Sequence, residues 1–356
     1  MYHLKQLTIE FEDFDTGGFG ATFIQSVTRL TPNLKYLGLK TGTFIGHTLL
    51  GVSECCARLE SLSLEYWNDP VAETMSLFVQ ELSNGLGSRL RHFSVIQRGG
   101  FISPAVYQGV WPLMSSLQSL HLWGVGLNEE SFRALTKSSQ FLSRLTFYRS
   151  PSSDGLDGSN LVSHSVWGQL FSVCASNLVE LNLLAFRPFP SSVSQVISEE
   201  CVNLKSLSIT SESAEFVCPI LRACGPQLTS LELMGCKLGI ETLNTVFRHC
   251  HTLTKLVFMH PEIGGTRPLV QQQNVQEFLQ QVGPKLRSFI LSGTSISSVV
   301  LEEIRTHCIR LNHLDLTQVV SIDEKSAVAH FKASLMHLKW IKINGTGTHS
   351  NQKPPS

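Results

Sequence analysis

The sequence predicts an α/β fold, a solenoid in which a curved parallel sheet lines a concave face and helices cover the convex one. Three observations predict it. A motif of the form apolar-x-x-apolar-x-apolar occurs thirteen times in the 356 residues. The interval between successive copies returns most often to 25 residues. The apolar residues between copies fall at helical spacing, whereas those within a copy alternate.

The copies open at Leu4, Leu34, Leu59, Leu90, Leu117, Leu142, Leu178, Leu204, Leu228, Leu253, Leu286, Leu311 and Leu338. Each of these lead leucines is followed three and five residues later by two more apolar side chains, as in Leu34, Leu37 and Leu39. Alternation puts that pair on one face of a short strand, and the residues two, four and six after the lead Leu on the other. The connecting segments carry Phe23, Val27 and Leu30; Phe78, Leu82 and Leu86; Val193, Val196 and Ile197; Leu243, Val246 and Phe247; Val300, Leu301 and Ile304, each set at helical spacing. One strand and one helix cannot bury their own apolar faces, but stacked copies form a continuous core. A period of 25 lies in the range of about 20 to 29 residues expected of leucine-rich repeats. The repeat domain is therefore expected over 1-343. Residues 344-356 contain no apolar side chain and are expected to form a disordered C-terminal tail.

A second periodicity refines the reading. Cys56, Cys201, Cys250 and Cys308 each stand three residues before a lead Leu, Cys174 and Cys224 stand four before theirs, and Cys236 lies eight after Leu228. With these the chain resembles the cysteine-containing leucine-rich repeats of F-box proteins, within the ribonuclease-inhibitor-like superfamily. The resemblance implies a non-catalytic interaction scaffold similar to the substrate-recognition part of an SCF-type ubiquitin-ligase receptor, with a protein target on the concave face. It also implies a cullin-ligase adaptor as a second partner. The first copy opens at Leu4, which leaves no room for the N-terminal helical module by which such receptors hold the adaptor. The chain is accordingly expected to be a fragment or a shortened relative, with that module upstream of Met1 or in another chain. The alternative is a regulatory activator or inhibitor of an enzyme such as a small GTPase or a ribonuclease. An arginine finger would then be needed, and Arg98, Arg149 and Arg187, which follow strands, are the candidates.

Composition narrows the partners. Lys and Arg number 28, as do Asp and Glu, so no overall field is available to hold nucleic acid or an anionic membrane. Hydrophobic residues at 42% and charged residues at 16% call for a large core. Nine cysteines, an odd number, and the lack of a leader pattern point to a reduced, cytoplasmic or nuclear protein. No apolar run approaches the roughly 18 residues of a membrane span. His249-Cys250-His251 and His307-Cys308 invite a metal reading, but cysteines recurring once per repeat form a ladder and do not converge as zinc ligands must. Buried thiols packing behind the lead leucines are the expectation, and no metal or cofactor is expected. G-x-S-x-G, Walker and H-E-x-x-H patterns are absent, which argues against catalysis. Gly17-Gly18-Phe19-Gly20 and Gly264-Gly265 read as turns between strand and helix.

The candidate binding residues come from the positions facing away from the helices. In repeats eight and eleven these are mostly Ser, Thr or small, but in repeats two to six they become Tyr36, Lys40, Glu65, His92, His121, Trp123, Arg144 and Tyr148. Trp, Tyr and Arg are enriched at binding hot spots because they bring large contact area at low entropic cost. Tyr36, Lys40, His92, His121, Trp123, Arg144 and Tyr148 are therefore the proposed protein-binding set. A second, more apolar stretch runs through Leu184, Met234, Val257, Met259 and Ile290. Long intervals at 148–168 and 260–275 read as exposed loops at the rim.

Overall fold

The computed structural model describes residues 3–11, 19–43, 49–68, 72–98, 107–125, 127–148, 163–184, 189, 191–210, 213–235, 240–259, 272–292, 298–316, 331, 334–343 and 346–349. Its strands are β1 (Gln6–Glu10), β2 (Tyr36–Thr43), β3 (Ser61–Asn68), β4 (His92–Gln97), β5 (Ser119–Trp123), β6 (Arg144–Tyr148), β7 (Glu180–Leu184), β8 (Ser206–Thr210), β9 (Ser230–Met234), β10 (Lys255–Met259), β11 (Ser288–Ser292), β12 (His313–Leu316), β13 (Trp340–Ile343) and β14 (Thr346–His349). The first thirteen each begin two residues after a lead Leu. They follow one another in chain order in an open parallel sheet, and β14 closes the order antiparallel to β13. The fold is an α/β leucine-rich-repeat solenoid of about thirteen repeats. The chain forms two compact units, 1–178 with 182–186, and 179–181 with 187–356.

In the first unit, β1 to β6 keep one register, with Leu7, Leu37, Leu62, Phe93, Leu120 and Leu145 paired in turn. Leu34, Leu59, Leu90, Leu117, Leu142 and Leu178 are all fully buried, whereas Leu4, in the end repeat, is 38% exposed. Burying such a side chain contributes about 1.5–3 kcal/mol, so the end repeat forgoes part of what its neighbours gain. Behind β3 to β6 the core turns aromatic. Phe78 and Phe93 stack at 6.2 Å, Tyr107 and Trp111 at 5.5 Å, and Phe132 meets Trp167 edge-on at 4.5 Å. The hydroxyls of Tyr66 and Tyr107 share a buried hydrogen bond of 2.7 Å.

The helix Phe19–Leu30 corrects the sequence reading. Among its residues of described burial, Ile24 and Thr28 are the buried ones, while Phe23 and Leu30 are 40% and 54% exposed. The stripe Phe23, Val27, Leu30 is one position out of phase with the face that meets the sheet, and Phe23 packs edge-on against Phe11 instead. Phe78, Leu82 and Leu86 are buried as expected, but the helix Ala72–Glu81 passes into a π turn at Leu82–Leu86, where Gly85 takes φ +98°. Buried Glu81 accepts hydrogen bonds from the N–H groups of Gly51 (3.1 Å) and Ser53 (2.5 Å), satisfying the start of the short helix Val52–Cys55 of the preceding repeat.

The second unit repeats the scheme, with Leu204, Leu228, Leu253, Leu286 and Leu311 fully buried. Here the cysteines explain their own spacing. Cys224 Sγ lies 3.6 Å from the carbonyl of Cys201, and a Cβ built on Gly225 would sit 3.0 Å from Cys250 Sγ. A Cβ on Gly283 would likewise sit 3.2 Å from Cys308 Sγ. Each thiol plugs the helix end of the repeat before it, as in the first unit Cys56 Sγ lies 3.7 Å from the carbonyls of Thr28 and Thr31. The six repeat cysteines named above are buried and carry free thiols; Cys236 lies outside the described residues. Within the stretch 344-356, Thr346–His349 pair with β13, supplying partners to backbone groups that a terminal strand leaves open.

Candidate protein-binding face

Strand alternation fixes the site. In β4 and β5 the residues Phe93, Val95, Leu120 and Leu122 are buried, and those between them are half-buried on the opposite face, away from the helices. Parallel register then sorts this face into three rows. Tyr36, Ser61, His92, Ser119 and Arg144 form the first; Gly38, Ser63, Ser94, His121 and Thr146 the second; Lys40, Glu65, Ile96, Trp123 and Tyr148 the third. All seven predicted residues lie on this face of the first unit.

Trp123 and Tyr148, on adjacent strands, stack with ring centroids 3.4 Å apart and 13° between planes. His92 and Arg144 share a row two strands apart. Burial lowers the His92 imidazole below its usual range, and the Arg144 charge pushes the same way. His121 sits between Ser94 and Thr146 in the middle row, burial lowers its pKa, and its Nε2 has no hydrogen-bond partner among the described residues. Burial also raises the Tyr148 phenol above its usual value. These five form one patch. Tyr36 and Lys40 lie apart from it on β2. The Tyr36 ring lies along the strand over Gly38, where a Cβ would sit 2.8 Å from the phenol oxygen. The Lys40 ammonium bonds Glu10, which raises its pKa.

Sequence reasoning missed Trp67. It stands eight residues after Leu59, beyond the window of two, four and six, because β3 runs eight residues and not five. The indole is 49% exposed, and the Arg98 guanidinium lies 5.9 Å from its ring while bonding Glu65 at 2.5 Å. A Trp at the end of an unbroken polar–apolar alternation, Ser61 to Trp67, was the available signal. Arg98 is thus held between a carboxylate and an aromatic face; Arg149 and Arg187 lie outside the described residues, as do Gly17, Gly18, Gly264, Gly265 and most of both long intervals.

The apolar stretch resolves less uniformly. Met234 and Met259 are register partners in the second unit, with Met259 40% exposed, whereas Val257 is buried. Ile290 is half-buried beside Val257, and Leu184 belongs to the first unit. The pair Lys255 and Glu232 bonds at 2.5 Å on the same face, and His313 stacks on Trp340 at 4.1 Å. Among the described residues no group of three or more His, Cys, Asp or Glu could hold a metal ion. No described helix is long and apolar enough to cross a membrane.

No protein-family profile matches the chain, and no curated protein sequence matches it. Solved structures do. An internalin, InlF, from Listeria monocytogenes is 14% identical over 91% of this chain and 83% of its own, with a TM-score of 0.47. Rad7, solved in complex with Elc1 in yeast, is 14% identical over 96% of this chain and 76% of its own, at 0.52. TLR13, in a complex with ssRNA13, is 15% identical over 96% of this chain and 43% of its own, at 0.47. At such identity the likeness to Rad7 is one of fold alone.

Proposed function

We propose that the chain is a non-catalytic scaffold that captures a protein target on the strand face of β2 to β6, in the manner of the substrate-recognition part of an F-box ubiquitin-ligase receptor. One observation carries this reading: the Trp123–Tyr148 stack, half-buried on adjacent strands, with His92, His121 and Arg144 beside it. Large aromatic surfaces already held in place are what interface hot spots are made of. Residues 1-343 act in this proposal as one repeat domain, working in the cytoplasm or nucleus. That Rad7 was crystallised with Elc1 supports the use of this fold in protein assemblies. An arginine finger is less well supported, because Arg98 is already engaged by Glu65 and Trp67. The test is affinity purification of the wild-type chain beside Trp123→Ala and Tyr148→Ala, with Phe141→Ser, an exposed site off this face, as a control. Co-purifying proteins should be lost from the first two variants and kept by the third. An unchanged set in all variants would remove the strand face from the proposal.

A further inference from the structure

The same lead leucines that place the strands also bring together a basic depression at their N-terminal ends. Lys35, Glu60 and Arg91 each stand one residue after a lead Leu and immediately before β2, β3 and β4. Arg58, Arg89 and Ser116 each stand one residue before a lead Leu. The backbone ladder fixes their spacing, since Glu60 N–H donates to the Lys35 carbonyl at 3.0 Å and Arg91 N–H to the Glu60 carbonyl at 2.8 Å. Neighbouring strands lie about 4.8 Å apart, so the side chains on these positions crowd one edge of the sheet. Together they line a cavity of about 450 Å³ in the first unit.

Its charge is out of keeping with the chain. Four cations, Lys35, Arg58, Arg89 and Arg91, face one carboxylate, Glu60, whose contact with Lys35 is a loose 3.8 Å. The chain as a whole has equal numbers of basic and acidic residues, so this excess of three is local. Arg89 is anchored through Nη2 on the Ser53 carbonyl at 2.9 Å, yet its Nε is buried without a hydrogen-bond partner among the described residues. The Arg58 and Arg91 guanidinium groups make no ion pair or hydrogen bond with any described residue. Like charges held this close repel one another, and an anion seated among them relieves that repulsion.

We infer that this depression binds a phosphate monoester group. Guanidinium forks match phosphate oxygens two at a time, and three net charges suit one dianion with some excess. A duplex or long single strand is less well matched, because such ligands are held by many phosphate contacts along an extended basic surface. The volume fits a phosphorylated side chain or a small phosphorylated molecule, since small-ligand sites occupy about 300–1,000 Å³.

Calorimetric titration of the full chain at low ionic strength tests this with three probes: a short phosphoserine peptide, its unphosphorylated form and inorganic phosphate. The variants are Arg58→Ala/Arg91→Ala, which removes two guanidinium groups without described partners, and Ser116→Glu, which adds a carboxylate to the lining; Arg133→Ala, at an exposed helical site away from both the depression and the strand face, is the control. Circular dichroism and thermal unfolding of each variant check the fold. The phosphate-bearing probes should bind wild type and Arg133→Ala alike and both cavity variants at least about tenfold more weakly. A phosphopeptide that binds more tightly than inorganic phosphate identifies a phosphorylated protein as the source; equal affinity identifies a small phosphorylated molecule. No binding by either phosphate probe overturns the inference. So does equal binding of the unphosphorylated peptide, or unchanged affinity in both cavity variants. A single-stranded oligonucleotide that binds more tightly than the phosphopeptide, and is lost in the same variants, overturns it in favour of nucleic acid.

Discussion

Replacing Gly124 with Ala should damage both the fold and the binding face, by an amount that can be separated into two causes. Gly124 follows Trp123, has φ +71°, and donates its N–H to the Tyr148 carbonyl at 3.0 Å, so it ties together the two strands whose rings stack. A side chain at that φ costs about 1–2 kcal/mol in any surroundings. A Cβ at Gly124 would in addition lie 2.3 Å from the Gln97 carbonyl oxygen at the end of β4. That contact is with backbone, so the end of β4 must move, and overpacking of this kind costs about 1–3 kcal/mol. The total expected is about 2–5 kcal/mol. Gly51 supplies the reference, since it has φ +79° but nothing within 4 Å of an added Cβ, and Ala keeps the N–H that bonds Glu81. Gly51→Ala should therefore cost only the first part. Urea unfolding of both variants followed by circular dichroism decides the matter. If Gly124→Ala is no less stable than Gly51→Ala, the close approach of β4 and the turn after Trp123 does not constrain the fold as argued.

Three further outcomes are expected. Burial pushes the Cys56 and Cys224 thiols up to about 11 and those of Cys174, Cys250 and Cys308 up to about 12; since the thiolate is the reactive form, iodoacetamide should alkylate half-exposed Cys55 well before them, and equal labelling by mass spectrometry would contradict this. Because burial holds His121 below the ordinary histidine value of about 6.5, the unfolded chain takes up the proton first on acidification, so stability falls as pH drops below about 6.5. His121→Gln should flatten that slope, and an unchanged plot of urea midpoint against pH would remove His121 from the account. In amide hydrogen exchange, Gln6–Glu10 should exchange faster than His92–Gln97, because β1 has a neighbour on one side and no fully buried residue; equal protection would mean that the end repeat is as well packed as the fourth.

The position of every parallel strand was legible in the sequence because the lead Leu fills one kind of buried corner wherever it occurs, and the strand starts two residues on. That the seven candidate residues share one face of the sheet was legible for the same reason, since strand alternation leaves only one other face. Features that depend on a neighbouring repeat were not. Glu81 looks like any helical carboxylate until the start of Val52–Cys55 is found against it. Gly225 and Gly283 each precede a Pro, which in sequence signals only a turn, and the tight approach of the Cys250 and Cys308 thiols, 3.0 and 3.2 Å from where a Cβ would sit, shows only in the structure. The inner stripe of Phe19–Leu30 was misread because Thr28, one of the residues that face the sheet, is polar, so the apolar Phe23, Val27 and Leu30 gave the wrong phase. Trp67 was lost to an assumed strand length. The strand at Thr346–His349 has no apolar alternation at all, so only its backbone pairing reveals it.

The paired charges along the third row bear on speed. Glu10 holds Lys40 and Glu65 holds Arg98, so two long cations of this face are already neutralised by carboxylates on neighbouring strands, and Arg144 is left as the cation beside the aromatic stack without an ion pair among the described residues. Such a surface has little long-range field with which to draw in an oppositely charged protein. Encounter should then proceed at the unassisted rate of about 10⁵–10⁶ M⁻¹s⁻¹ and change little with added salt. Differences between partners would be written in how slowly they leave the Trp123–Tyr148 stack, so that selectivity on this face resides in residence time and the arrival of candidates is nearly indiscriminate.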